Sequence, residues 1–304
     1  MSRFFAKIIQ FPAKIRTFER YFPIIMDKKT TVALIYDFDG TLSPGNMQEY
    51  DFIPAVGKSN KEFWHDSSEI ARQQDADPIL TYMAKMIREA RSTGLSLKRE
   101  AFRESGRKIR LYPGVQEWFS RMNAYAARRG IELLHYINSS GIKEIIEGTP
   151  IAGEFKKIYA CSFLYDIDGV AYWPGVAVNY TNKTQFIYKI NKGVEPVWDC
   201  KLVNRYIPEH ERPVQFRHMI YIGDGTTDIP CMKLVKSQGG HSIAVYNPEV
   251  KNGRKELAQL IRDNRVHRVC PADYTDGSEL DTLVKGILSK IEADLNLERL
   301  IDEK

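Results

Sequence analysis

From Thr31 onward, short apolar runs that end in polar turns alternate with stretches of helical periodicity. VALIYDF (32–38) is a continuous apolar run closing on polar residues, as expected of a strand buried on both faces. IELLHYIN (131–138), KIYACSF (157–163), MIYIGD (219–224) and SIAVYN (242–247) repeat that character. Between and after them, residues 115–128, 142–147, 183–190, 229–236, 251–264 and 278–300 carry apolar positions at helical spacing. The alternation predicts an α/β fold: a Rossmann-like, doubly wound, mostly parallel sheet with helices on both faces. Ligands of such sheets lie at the carboxyl ends of the strands. One stretch breaks the pattern. Residues 43–110 hold helical segments (58–73, 78–92) and no convincing strand, so they read as a helical insertion.

Composition agrees with a folded body: 43% of the 304 residues are hydrophobic and 27% charged. No run approaches the ~20 apolar residues of a spanning helix. The formal charge of +5 would point to polyanionic partners if it were spread over the surface. It is not. Residues 1–25 hold five basic side chains against Glu19, leaving 39 basic and 38 acidic residues in the rest. A nucleic-acid partner is therefore not expected of the body. The 1–25 extension lacks the clean apolar stretch of a secretory signal, and Pro12 and Pro23 limit any interfacial helix, although association with a membrane surface stays open. Met26, just before the first strand, also reads as a natural start. Cys161, Cys200, Cys231 and Cys270 are widely spaced, as free thiols in a reducing cytoplasm would be, and the six histidines show no zinc spacing.

Four strand-end segments carry chemistry. Asp37-Phe38-Asp39-Gly40-Thr41 follows the first strand; two carboxylates at i and i+2 can converge if the chain turns at Gly40. One suits a nucleophile and the other a general acid/base, and together they suit Mg²⁺. Asn138-Ser139-Ser140-Gly141, read as a strand end opening a helix, offers a hydroxyl and backbone N–H groups to a phosphate, although an N-cap alone would explain it. Lys183 opens a later helix and can neutralise phosphoryl and carboxylate charge. Gly223-Asp224-Gly225-Thr226-Thr227-Asp228 places Asp224 at a strand end, as a metal ligand, and Asp228 in the first helical turn, where helix formation alone would also favour it. A fifth segment, Asp166-Ile167-Asp168-Gly169, imitates the first; lying between two strand-like runs, it reads as a hairpin turn.

In order, spacing and context the four segments resemble the haloacid dehalogenase superfamily, and within it the Mg²⁺-dependent phosphohydrolases of the phosphoserine-phosphatase-like branch, from about Thr31 to the C-terminal region. The resemblance implies a core of residues 26–42 and 111–304 and a helical cap at 43–110. It implies that Asp37 attacks phosphorus to form an aspartyl-phosphate, while Asp39 protonates the leaving alcohol and then activates water. Ser139 and the Ser140 N–H would hold phosphoryl oxygens, and Lys183 would balance charge. Mg²⁺ would bind the Asp37 carboxylate, the Asp39 carbonyl and Asp224, with Asp228 and Thr41 supporting. An acid at position 39 disfavours dehalogenases and transport ATPases. The expected activity is hydrolysis of a small phosphorylated metabolite in the cytoplasm; a phosphomutase acting on a sugar phosphate is the alternative, and a basic binding module acting through residues 1–25 a more distant one. In the cap, Phe63 and Trp64 read as core or substrate contacts. The basic run Lys98–Arg110 reads as a salt-bridged face or a site for a second anion. Residues 191–217 exceed what a minimal core requires.

Overall fold

The computed structural model describes residues 30–302 except Thr226; the readings of residues 1–25 and of Met26 lie outside the described residues. Its strands are β1 (Thr30–Tyr36), β2 (Ile131–Ile142), β3 (Lys157–Tyr165), β4 (Ala171–Val176), β5 (Met219–Gly223), β6 (His241–Tyr246) and β7 (Arg268–Pro271). They form one sheet in the order β4-β3-β2-β1-β5-β6-β7, parallel throughout except for β4, which pairs antiparallel with β3. Val32–Tyr36 of the central strand are buried on both alternating faces. Each such aliphatic side chain contributes about 1.5–3 kcal/mol through removal from water.

The helices are α1 (Phe52–Ala55), α2 (Asn60–Gln74), α3 (Pro78–Thr93), α4 (Arg99–Gly106), α5 (Val115–Ala127), α6 (Lys143–Glu147), α7 (Lys183–Lys192), α8 (Cys200–Asn204), α9 (Ile229–Ser237), α10 (Gly253–Arg262) and α11 (Glu279–Asp302). α5 packs on β2 and against α11, and α7 packs on β2 and against α9, covering the sheet from two sides. Four helices, α1 to α4, occupy the stretch between β1 and α5. Local signals set their ends: Ser59 and Glu62 form a reciprocal capping box on α2, and Asp77 caps α3 with Pro78 in its first turn.

Several sequence expectations shift. The second strand runs four residues past Asn138, so Ser139 and Ser140 belong to β2, and α6 begins only at Lys143. β7 escapes the hydrophobic pattern because it is four residues long and Arg268 is exposed. The Asp166–Gly169 segment is the β3–β4 turn: the Gly169 N–H donates to the Asp166 carbonyl (3.1 Å) and the Asp166 N–H to the Val170 carbonyl (3.1 Å). The Lys98–Arg110 run is salt-bridged, but mostly across elements rather than along one helix: Arg99 to Glu144, Arg103 to Glu147, Lys108 to Asp51 and Arg110 to Glu249. All four cysteines are free. Among the described residues, no helix is long and apolar enough to cross a membrane.

Candidate active site

Three neighbouring strands deliver the acidic and hydroxyl groups side by side. Tyr36, the last residue of β1, pairs with Ile222 of β5 on one side and Ile137 of β2 on the other. Asp37, Asp224 and the Ser139–Ser140 pair lie just beyond those partners, and the Asp37 N–H donates to the Ile222 carbonyl at 3.0 Å. The chain leaves β1 toward β2 and β3 and returns to its other side at β5, so the site occupies the switch point of the sheet.

After Asp37 the backbone folds back on itself. The Phe38 carbonyl accepts from the N–H groups of Thr41 (3.2 Å), Leu42 (2.8 Å) and Ser43 (3.1 Å). Gly40 turns with φ +75°, and a Cβ there would run into the Asp224 carboxylate, so both backbone freedom and close approach require glycine. The turn places the Asp39 carboxylate near Asp37, where its Oδ1 accepts the Met47 N–H at 3.0 Å. Thr41 does not reach the cavity. It is buried, its Oγ1 has no partner, and its carbonyl accepts the Tyr274 hydroxyl.

Beneath Asp37 lies a buried ion pair. Lys183 Nζ is 2.6 Å from Asp228 Oδ1 and 3.3 Å from Asp37 Oδ1, with no side-chain exposure at Lys183 or Asp228. The Tyr221 hydroxyl also donates to Asp228 Oδ1 at 2.6 Å. Although Asp228 precedes α9, its side chain makes no cap hydrogen bond; the lysine, not the helix, accounts for its orientation. A Cβ on Gly223 would meet that carboxylate. Asn138 donates to the Lys183 carbonyl at 3.1 Å, tying β2 to the start of α7.

This enclosure shapes the ionisation. Burial, then the Asp228 charge, push Asp37 up to about 7, against the opposing pull of Lys183, the Phe38 N–H and Ser139. Asp39 opens onto the cavity but is otherwise enclosed; burial and the Asp37 charge hold it well above the carboxylate range, with only the Met47 N–H countering strongly. Burial and Asp37 raise Asp224 likewise. Burial alone would depress Lys183, but Asp228 and Asp37 outweigh it, keeping the ammonium charged.

Ser139 and Ser140 do not open a helix. The pairing of β2 with β3 runs from Asn138↔Tyr159 to Ile142↔Cys161, so three residues of β2 face one of β3. That bulge turns the Ser139–Gly141 segment toward the cavity, a common device beside active sites. The cavity measures about 290 Å³ and is lined by Asp37, Asp39, Ser139, Ser140, Asp224 and Thr227 below. From the 43–110 stretch come Asn46, Gln48, Trp64, Ile79 and Tyr82. Phe63 is buried in the core, whereas its neighbour Trp64 faces the cavity. The Tyr82 hydroxyl donates to the Ser140 carbonyl at 2.6 Å, joining α3 to the bulge. Sequence reasoning misses Gln48, Tyr82 and Tyr221, whose apolar or polar character carries no spacing signal.

Among the described residues, Asp37, Asp224 and Asp228 form the group able to hold a metal ion, each offering an oxygen within 4.8 Å of the others. Asp228 Oδ2 is buried without a hydrogen-bond partner. An orphaned anionic oxygen in such surroundings is costly unless a cation meets it, and an all-oxygen donor set suits a hard divalent ion such as Mg²⁺. The residues present therefore fit the ion.

The family model described as haloacid dehalogenase-like hydrolase matches residues 34–233. A protein of Borreliella burgdorferi described as uncharacterized is 29% identical over 285 residues, spanning 84% of this chain and 95% of its own. Among solved structures, a haloacid dehalogenase family hydrolase from Salmonella enterica serovar Typhi superposes with a TM-score of 0.53 at 14% identity, over 84% of this chain and 70% of its own. A substrate-bound phosphoserine phosphatase gives 0.52 at 13% identity, over 85% and 99%. At such identities the structural likeness bears on the fold.

Proposed function

The chain belongs to the haloacid dehalogenase-like hydrolase family, and from that premise we propose that it is a Mg²⁺-dependent phosphomonoester hydrolase acting on a small phosphorylated metabolite through an aspartyl-phosphate. The observation that carries the reading is the division of labour between two aspartates two residues apart. Asp37 has Lys183 at 3.3 Å, so it can be an anion when it meets phosphorus. Asp39 has no ion-pair partner among the described residues, and burial and the Asp37 charge shift it toward the protonated form that a proton donor requires.

In the first step an Asp37 oxygen bonds to phosphorus as the ester P–O bond breaks, and the departing oxygen takes the Asp39 proton. In the second, water attacks phosphorus and gives a proton to Asp39, breaking the Asp37–phosphorus bond and releasing phosphate. Ser139, the Ser140 N–H and Lys183 would orient the phosphoryl oxygens and balance their charge. Asp37, Asp224 and Asp228, with the Asp39 carbonyl, would hold Mg²⁺, whose charge when bound offsets that of the phosphoryl group and the carboxylates. Residues 43–110 act as a cap over a core of 26–42 and 111–304, with Trp64, Ile79 and Tyr82 excluding water. Free cysteines support a cytoplasmic setting.

The test is hydrolysis of p-nitrophenyl phosphate. Wild-type protein should turn it over with Mg²⁺, lose activity to EDTA reversibly, and lose it altogether in Asp37→Asn. Undiminished turnover by that variant would reject the assignment.

A further inference from the structure

The cavity above Asp37 is small, about 290 Å³, and no lysine, arginine or histidine is among the described residues lining it. Its charged lining is acidic: Asp37, Asp39 and Asp224. Lys183, below, is already engaged by Asp228 and Asp37. In the phosphatase reading, on which this inference rests, a divalent ion and the phosphate largely neutralise each other. The field at the far end, where the alcohol portion of a substrate must lie, is then set by carboxylates.

Trp64 and Tyr82, from α2 and α3, supply the aromatic part of the lining. The rings of Trp64 and Tyr82 stand 5.7 Å apart at 70°, two walls of one corner. The Trp64 indole N–H donates to Glu49 Oε1 at 2.7 Å, and the Asn46 amide donates to the same oxygen at 2.7 Å. A carboxylate on the indole N–H enriches the ring's electron density and strengthens its attraction for positive charge. Gln48, 2% exposed, also lines the cavity, and its Oε1 has no hydrogen-bond partner. A second carboxylate or phosphate on the substrate would meet acids, ring faces and uncharged polar groups, with no basic side chain among the described lining residues to balance it.

We infer that the substrate's alcohol portion carries an ammonium group and no second anion, making it a phosphorylated amino alcohol. The experiment compares kcat/KM of the Mg²⁺-loaded enzyme on phosphoethanolamine, 2-phosphoglycolate and p-nitrophenyl phosphate. Phosphoethanolamine should exceed phosphoglycolate by about tenfold or more, within the range of one desolvated cation–π contact. Ile79 lines the wall at the start of α3 and is only partly buried, so Ile79→Arg should fold and introduce the missing cation. It should shift the ratio toward phosphoglycolate by a similar factor. Equal or faster cleavage of phosphoglycolate by the wild type, or a ratio unmoved in folded Ile79→Arg, overturns the inference while p-nitrophenyl phosphate hydrolysis upholds the phosphatase reading. Absence of Mg²⁺-dependent hydrolysis of all three rejects both.

Discussion

Lys183 and Asp228 form an ion pair at 2.6 Å with neither side chain exposed, and the same ammonium stands 3.3 Å from Asp37. Lys183 thus links the deepest carboxylate of the site to the proposed nucleophile, Asp37. Removing it strands a buried charge rather than merely losing an attraction. Lys183→Met should destabilise the protein by about 3–5 kcal/mol, and Lys183→Met combined with Asp228→Leu should recover part of that loss. Denaturant unfolding measures both. A single variant within about 1 kcal/mol of wild type would show that the pair carries little.

The acidic cluster works against the metal-free fold. Asp37, raised to about 7 mainly by burial, binds its proton more tightly folded than unfolded. Its contribution to stability is therefore complete below the unfolded value of 3.8 and is lost as pH rises through about 7. Asp224 is shifted in the same direction by burial and by Asp37. Mg²⁺ should accordingly raise Tm more at pH 8 than at pH 5, and metal-free Asp224→Asn should melt higher than metal-free wild type while losing activity. Thermal melts with Mg²⁺ and with EDTA at the two pH values decide this; equal Mg²⁺ shifts would contradict it.

Acid should act oppositely at His135. This imidazole is buried between the Tyr36 hydroxyl (2.9 Å) and Asn123 Oδ1 (2.9 Å), and burial pushes its pKa down from 6.5 to about 3. Below pH 6.5 the unfolded chain takes up a proton that the folded one refuses until about 3. Each pH unit in that window should cost up to about 1.4 kcal/mol. Between pH 6 and 4, His135→Gln should show a shallower loss of stability than wild type in urea titrations. Parallel slopes would remove His135 from the account.

The two Asp-x-Asp-Gly segments should separate under one substitution. Gly40 (φ +75°) lies against the Asp224 carboxylate, whereas a Cβ added at Gly169 (φ +72°) would meet nothing within 4 Å. Gly40→Ala should lower kcat by at least about a hundredfold by displacing groups from reacting geometry. Gly169→Ala should cost about 1 kcal/mol of stability and leave kcat within about twofold, since it lies in no reacting geometry. Comparable kinetic losses in both would contradict the assignment of the second segment to a turn.

Much of this arrangement is legible in the chain. β1 and β5 are apolar on both faces, so their runs end visibly at Asp37 and Asp224, and Asp-Gly between strand-like runs marks the β3–β4 turn. Ser139 and Ser140 stand out in the sequence but are misplaced onto a helix, because a bulge depends on the register of β2 against β3 and leaves no mark in a one-dimensional pattern. The role of Asp228 is hidden because an aspartate before a helix already has a local explanation; its partners, Lys183 and Tyr221, come from other elements. The far wall of the cavity draws Gln48, Trp64 and Tyr82 from separate turns and helices, and only tertiary packing brings them together.

The central claim is that phosphate passes through Asp37. Asp39→Asn lacks the carboxylate proposed to activate water, yet p-nitrophenolate leaves without a proton, so the first step should proceed and the second should stall. Acid-quenching this variant with p-nitrophenyl phosphate and mapping peptides by mass spectrometry tests the point directly. The account predicts a nitrophenolate burst matching the enzyme concentration, with phosphate on the peptide containing Asp37. A burst with Asp37 unmodified would contradict it.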